Sequence, residues 1–161
     1  MEVIWNSASH VNLISHDLMA LLYFLTTTDD IWAQRTVARA IATLIYEGAD
    51  DLQHLFGRGF IDACKIAGVF DQIESDHRIA KKQLSVFQKK HCDALKSIRM
   101  TAGAHRDHDS QEFLRNVADA SPDSFLDISE EFETVLSELG RFSSTVIEHV
   151  NASYRKKGVI T

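Results

Sequence analysis

The hydrophobic residues of this chain recur every three or four positions in four long segments, which is the spacing of one buried helix face. The last segment keeps this spacing over about seven turns. Its apolar positions are Phe125, Ile128, Phe132, Val135, Leu139, Phe142, Val146 and Val150. The first segment is predicted to begin near Ser7 or Ser9 and to end at the polar run 26–29. No alternating pattern typical of a strand competes with these helices.

Turn-forming residues mark the ends of the other helices. The second long helix is predicted to run up to the unit Gly57-Arg58-Gly59, after which a short helix ends at Gly68. The third long helix is predicted to begin near Ser75 or Asp76. It is predicted to end at Gly103, because glycine suits the position just beyond a helix.

These segments predict an all-α protein, folded as an antiparallel four-helix bundle with one or two short additional helices. A second short helix is expected between Asp109 and Ala120, and Pro122 suits the first turn of the last helix. The chain has 161 residues, one proline, seven glycines and no recognisable linker. Its length and composition predict a single domain over residues 1–161.

Charge is distributed unevenly along this chain, whose net charge is −6. Residues 77–106 contain eight Lys and Arg and one acid, Asp93, whereas residues 107–154 contain eleven Asp and Glu and two arginines. The basic segment has two interpretations, and the sequence leaves both open. It is a track for a nucleic-acid backbone, or a solvated helix face that pairs with the acidic last helix at about 0 to 1 kcal/mol per exposed pair.

The cysteines and the hydropathy both favour a cytoplasmic protein. Cys64 and Cys92 show neither a disulfide pattern nor a paired metal-ligand spacing, which is typical of a reducing compartment. No apolar run approaches the roughly 18 to 20 residues of a membrane span, and the first residues lack the basic start of a secretion signal. We therefore expect no membrane partner.

Candidate chemistry lies near the end of the third helix, where Arg99 and His105 stand six positions apart. RNA is cut without a metal when a base takes the proton of a ribose 2′-hydroxyl, a cation stabilises the phosphorane and an acid protonates the leaving oxygen. Histidine can transfer protons near neutral pH, and arginine can hold phosphate through paired hydrogen bonds. The auxiliary or phosphate-binding candidates are Lys96, Arg106 and His108.

This reaction requires two proton-transfer groups, and His105 supplies one of them. A symmetric dimer that places two copies of the site together satisfies that requirement. The mechanism needs neither a metal nor a cofactor, so the chemistry predicts a homodimer without either.

The pair Arg99-x5-His105, at the end of a long helix in an all-helical chain of this size, resembles the R-x(4–6)-H motif of the HEPN superfamily. The adjoining Ala104-His105-Arg106-Asp107 also resembles HEPN-like proteins. The resemblance implies a small helical bundle that is active as a homodimer, with the motif at a composite interface. It implies metal-independent endoribonuclease activity on RNA, of the toxin or phage-defence type, with Arg99 and His105 as the catalytic pair. An antitoxin protein would then be a partner.

A non-catalytic HEPN-like bundle that binds a partner protein or a nucleotide is the leading alternative. Active members of the superfamily commonly carry a polar residue after the motif arginine, often asparagine, and this chain carries Met100 there. In this alternative His105 only fixes the end of the third helix. Met100 favours the alternative, whereas the basic segment beside the motif favours the nuclease.

A metal site is a third interpretation, because His105, His108 and the aspartates beside them could supply nitrogen and oxygen ligands. Glu74-x-x-His77 has the spacing of a di-iron bundle site, but such a site needs a second Glu-x-x-His, which the sequence lacks. His91 falls on the apolar stripe and is predicted to be a hydrogen-bonded core side chain. We therefore predict no metal.

Overall fold

The computed structural model describes residues 1–99 and 122–156. These residues form five α-helices, which are α1 (Glu2–Thr27), α2 (Ile31–Leu55), α3 (Arg58–Ala67), α4 (Phe70–Ile98) and α5 (Pro122–Lys156). No strand occurs within the two described ranges, so the all-α prediction is confirmed. None of the helices described is both long enough and apolar enough to cross a bilayer. The short helix expected between Asp109 and Ala120 and the helix end expected at Gly103 lie outside the described residues.

The four long helices pack pairwise around one core. Helices α1 and α4 each pack against α2 and α5, α2 also contacts α5, and the short α3 contacts all four. Near the start of α1, the Ser7 hydroxyl donates to the carbonyl oxygen of Leu55 at the end of α2, at 3.2 Å. Farther along α2, a Cβ at Gly48 would lie only 3.2 Å from Ile14 of α1. The close approach of these two helices therefore depends on a residue without a side chain.

The core is made of the apolar stripes that the sequence predicts. Every stripe position of the last helix is buried except Ile128, which is half-buried and packs against the core. Aromatic rings cluster where α2 ends and α3 begins. The Phe60 ring centre lies 5.0 Å from that of Phe56 and 5.9 Å from that of Phe142 on α5. These contacts join three helices at one end of the molecule.

Helix α1 begins earlier than predicted, at Glu2 rather than at Ser7 or Ser9. Serine is a common helix N-cap, which is why the pattern favoured those positions. Ser7 is instead buried inside the helix, and its hydroxyl donates to the Val3 carbonyl oxygen at 2.9 Å as well as to Leu55. A serine whose hydroxyl bonds back to the preceding turn is accommodated within a helix.

Helix α4 also begins earlier than predicted, at Phe70 rather than at Ser75 or Asp76. Gly68 ends α3 in the left-handed conformation, with φ 75°, so the chain changes direction within two residues. Ile73 is fully buried in the first turn of α4 and anchors that turn to the core. Tertiary burial thus extends the helix beyond the polar residues that resemble its cap.

Replacing Gly68 by alanine is expected to lower the free energy of unfolding by about 1 kcal/mol, because a Cβ disfavours the left-handed backbone conformation. Gly59, in the first turn of α3, is the matched control, since a Cβ there meets nothing within 4 Å. Gly59→Ala is expected to raise the free energy of unfolding by up to about 1 kcal/mol, through helix propensity. Urea denaturation of the two variants measures both changes. Effects of the same sign would contradict this account of the turn between α3 and α4.

Candidate functional site at the end of α4

Arg99 follows α4 directly and continues its helical backbone, with its amide bonded to the carbonyl oxygens of Leu95 and Lys96. Its guanidinium donates from Nε and Nη2 to the same oxygen, Oε1 of Glu47 on α2, at 2.9 and 2.8 Å. The guanidinium carbon lies 5.7 Å from the centre of the Tyr46 ring. The side chain is 29% exposed. It is therefore a cation held in one orientation by a carboxylate and a ring, with part of its surface open.

The surroundings of Arg99 are acidic. An open depression of about 360 Å³ is lined by Tyr46, Glu47, Asp50, Asp51 and Arg99. One guanidinium thus stands against three carboxylates. Because phosphate is attracted by an excess of positive charge, the described part of this depression opposes phosphate binding as much as it favours it.

The structure places two of the predicted site residues. Lys96 is exposed on the last turn of α4, and it is not among the residues that line the depression beside Arg99. His105, Arg106 and His108 lie outside the described residues. Only the arginine of the predicted catalytic pair therefore has a described geometry.

The sequence reasoning missed Glu47 and Tyr46, the two side chains that hold Arg99. They belong to α2, and Glu47 lies 52 positions before the arginine, so no local pattern links them. One signal was available, because Glu47, Asp50 and Asp51 form an acidic group on a single turn of α2. An acidic turn on one helix favours pairing with a basic neighbour, but only the packing of α2 on α4 selects the partner.

The basic face of α4 divides its charges between two neighbouring helices. Lys90 Nζ donates to Oε1 of Glu131 on α5 at 2.5 Å, and His91 Nε2 lies 2.9 Å from Oε2 of the same carboxylate. Lys81 donates to the backbone oxygen of Gln53 on α2 at 2.7 Å and also to its side-chain oxygen. Pairing of the basic helix with the acidic last helix therefore occurs at Lys90, and the cations used in such contacts are less available to a nucleic acid.

These contacts change the pKa of two groups. The hydrogen bond from Lys90, and then the one from His91, lower the pKa of the Glu131 carboxyl below its ordinary value. Burial lowers the pKa of the Lys81 ammonium, because desolvation disfavours its charged form. Glu131 therefore keeps its charge to a lower pH than an isolated glutamate does.

The two histidines of α4 considered above both contact the core. The His91 side chain is 12% exposed, packs on the Phe87 ring at 4.9 Å and bonds Glu131, which agrees with the predicted hydrogen-bonded core histidine. His77 Nε2 donates to the carbonyl oxygen of Phe56 at 2.8 Å, since a carbonyl only accepts, and this nitrogen is not available to a metal. Within residues 1–99 and 122–156, no three His, Cys, Asp or Glu side chains gather as a metal site requires.

A second surface feature, an apolar groove of about 550 Å³, lies between α4 and α5. Ile79, Val86, Phe87 and Val135 are among its lining residues, and Lys82 stands with them. Ile79 and Val86 are exposed despite their apolar side chains. Their seven-residue spacing forms a second apolar stripe on α4, which the sequence reasoning did not use.

Comparison with known proteins adds no relative. The chain matches no protein-family model, and no curated protein or solved structure matches it significantly. The geometry of the described residues is therefore the basis for the proposals that follow.

Replacing Glu131 by glutamine is expected to lower the free energy of unfolding at neutral pH by less than about 1 kcal/mol, because exposed ion pairs are screened by solvent. The folded state depresses the pKa of Glu131, so its contribution is complete above the ordinary pKa of glutamate. It is lost as the pH falls through the depressed value. The difference between wild type and Glu131→Gln should therefore shrink on acidification. Urea denaturation at pH 7 and in acid measures it.

Glu130→Gln is the matched control, because Glu130 precedes Glu131 on α5 and is exposed. This substitution should leave the pH dependence of wild type almost unchanged. A difference for Glu131→Gln that is equal at both pH values would contradict the assigned role of the Lys90 and His91 contacts.

Proposed function

We propose that the chain is one HEPN-like domain folded as an antiparallel four-helix bundle, with α3 as a short additional helix. The ring of contacts from α1 to α2, α4, α5 and back to α1 supports this arrangement. Along α4 and α5, His77 lies beside Phe142 and Lys90 lies beside Glu131, an order that supports opposite directions. Short connections between consecutive helices also favour antiparallel neighbours.

We further propose that the protein is a metal-independent endoribonuclease, with Arg99 and His105 as its catalytic pair. The observation that carries this proposal is the fixed orientation of the Arg99 guanidinium, held by Glu47 and by the Tyr46 ring at the end of α4. A donor that is oriented before the reaction stabilises developing charge without paying for rearrangement. Glu47 is a positioning residue in this mechanism, because it acts through Arg99.

In this reaction the ribose 2′-oxygen loses its proton to a base and attacks the adjacent phosphorus. The bond from phosphorus to the 5′-oxygen breaks, an acid protonates that oxygen, and the products are a 2′,3′-cyclic phosphate and a 5′-hydroxyl. Arg99 stabilises the charge on the phosphorane, and His105 transfers one of the protons. A homodimer would supply the second transfer group from its other copy. Lys96, Arg106 and His108 extend the contacts to the RNA backbone.

A non-catalytic HEPN-like module is the second candidate, and the acidic surroundings of Arg99 favour it. Glu47, Asp50 and Asp51 outnumber the one guanidinium, so Arg99 serves here to fasten the end of α4 to α2. The groove between α4 and α5 would then bind a partner. Its apolar lining and the cation of Lys82 suit an acidic amphipathic helix of another protein better than a nucleotide.

The biological setting follows from the first candidate. A nuclease of this kind that acts on cellular RNA fits a toxin or phage-defence role in the cytoplasm, with a small antitoxin protein as its partner. Neither a metal nor a cofactor has a part in the mechanism.

Cleavage of mixed cellular RNA in EDTA tests the nuclease. Wild type is expected to release fragments that end in 2′,3′-cyclic phosphate, and Arg99→Ala is expected to lower the rate by about 100- to 1000-fold, the effect of removing one preorganised donor. His105→Ala should abolish the fragments. Arg141→Ala and His16→Ala are matched controls, because both side chains are exposed and lie elsewhere. Both controls should retain wild-type activity.

Thermal unfolding of each variant separates catalysis from folding, since Arg99→Ala also removes the contact with Glu47. Glu47→Gln keeps an acceptor but removes the charge, so it should reduce cleavage less than Arg99→Ala does. Absence of cleavage by folded wild type at high concentration would reject the nuclease and leave the binding module. Cleavage that survives both Arg99→Ala and His105→Ala would reject the assigned pair.

A further inference from the structure

Large apolar side chains are exposed mainly at one place in this protein. Among the described residues, nine of the twelve exposed large hydrophobic side chains belong to residues 1–32, and these nine are between 43% and 65% exposed. They are Met1, Val3, Trp5, Leu13, Met19, Tyr23, Phe24, Ile31 and Trp32. Single exposed apolar residues need no explanation, but a concentration of this kind marks an interaction surface.

Most of these residues share the side of α1 that faces away from the core. Trp5, Leu13, Met19, Tyr23 and Phe24 lie opposite the buried positions of α1 at 100° per residue. Ile31 and Trp32 continue the patch at the start of α2. We call these seven side chains the α1 outer face.

Helix α1 is also nearly free of charged residues. It contains Glu2 and Asp17 in 26 positions, whereas α4 contains ten charged residues in 29 positions and α5 contains ten in 35. A surface helix normally carries its charges on the side opposite the core. A helix that is apolar on both sides is typical of one that is covered on both sides.

The α1 outer face is large enough for a specific contact. Each of its side chains exposes on the order of 100 Å², given total areas of about 150 to 250 Å² for aromatic residues. Seven such side chains approach the roughly 800 Å² per partner of a stable interface. The helix itself extends over about 39 Å, at 1.5 Å per residue.

We propose that the α1 outer face is the contact between two copies of this chain, related by a two-fold axis. A two-fold contact places a patch against the same patch of the other copy, so any charge within it meets its own kind. The α1 outer face avoids this repulsion, and the charged exposed sides of α4 and α5 do not. A lipid surface fits less well, because helices that lie on membranes carry Lys and Arg on their polar side and α1 has neither.

This contact is independent of the proposed ribonuclease. Helices α1 and α4 both pack on α2 and α5, so they lie on opposite sides of that pair. A dimer formed through α1 therefore leaves the two Arg99 depressions far from each other. It does not create a composite catalytic site, and the nuclease can fail or succeed without affecting it.

Light scattering during gel filtration, over a dilution series of wild type, tests the proposal. Wild type is expected at twice the chain mass of 18.1 kDa. The acidic variant Leu13→Glu/Tyr23→Glu and the basic variant Leu13→Lys/Tyr23→Lys should each be monomeric, because like charges then meet across the axis. An equimolar mixture of the two variants should return to the dimer mass, since opposite charges then meet in either direction of the paired helices.

Ile79→Glu/Val86→Glu, in the groove between α4 and α5, is the matched control because both side chains are similarly exposed. It should remain dimeric, and circular dichroism should show native helix content in every variant. A monomeric wild type, dimeric α1 variants or a mixture that stays monomeric would each overturn the proposal. Sedimentation of monomeric wild type with phosphatidylcholine vesicles would instead assign the α1 outer face to lipid.

Discussion

Burial of the apolar stripe of α5 is the constraint on which the remaining structure depends. This helix is the longest in the described part of the chain, and it contacts each of the other four helices. Phe132 and Phe142 on the stripe are buried against rings of α4 and of the α2–α3 corner. Because hydrophobic burial is the main favourable term in folding, the directions of α1, α2 and α4 follow from covering this stripe.

Electrostatic contacts refine this packing without determining it. The Lys90–Glu131 pair joins α4 to α5, and the Arg99–Glu47 pair joins the end of α4 to α2. Each is partly exposed, so each contributes little to stability compared with a buried aromatic side chain. Their effect is to orient particular side chains. That orientation makes Arg99 a candidate for phosphate stabilisation, and the neighbouring carboxylates make a purely structural role its competitor.

The position of exposed apolar surface separates two sides of the molecule. The side formed by α4 carries charge, the Arg99 depression and the groove beside α5. The side formed by α1 carries almost no charge and most of the exposed large hydrophobic residues. Contacts with a second copy through α1 and chemistry or partner binding at α4 can therefore coexist, because they use surfaces separated by α2 and α5.

The sequence by itself determined the helical class, the buried stripes and the break at Gly68, because helix periodicity and glycine conformation are local properties of the chain. It misjudged the starts of α1 and α4, where a buried Ser7 and the buried Ile73 extend the helices beyond their apparent caps. Only the tertiary structure decided that Glu47 holds Arg99 and that Glu131 takes the cation of Lys90. Those pairs join residues 52 and 41 positions apart, and distances between such residues depend on how whole helices pack against one another.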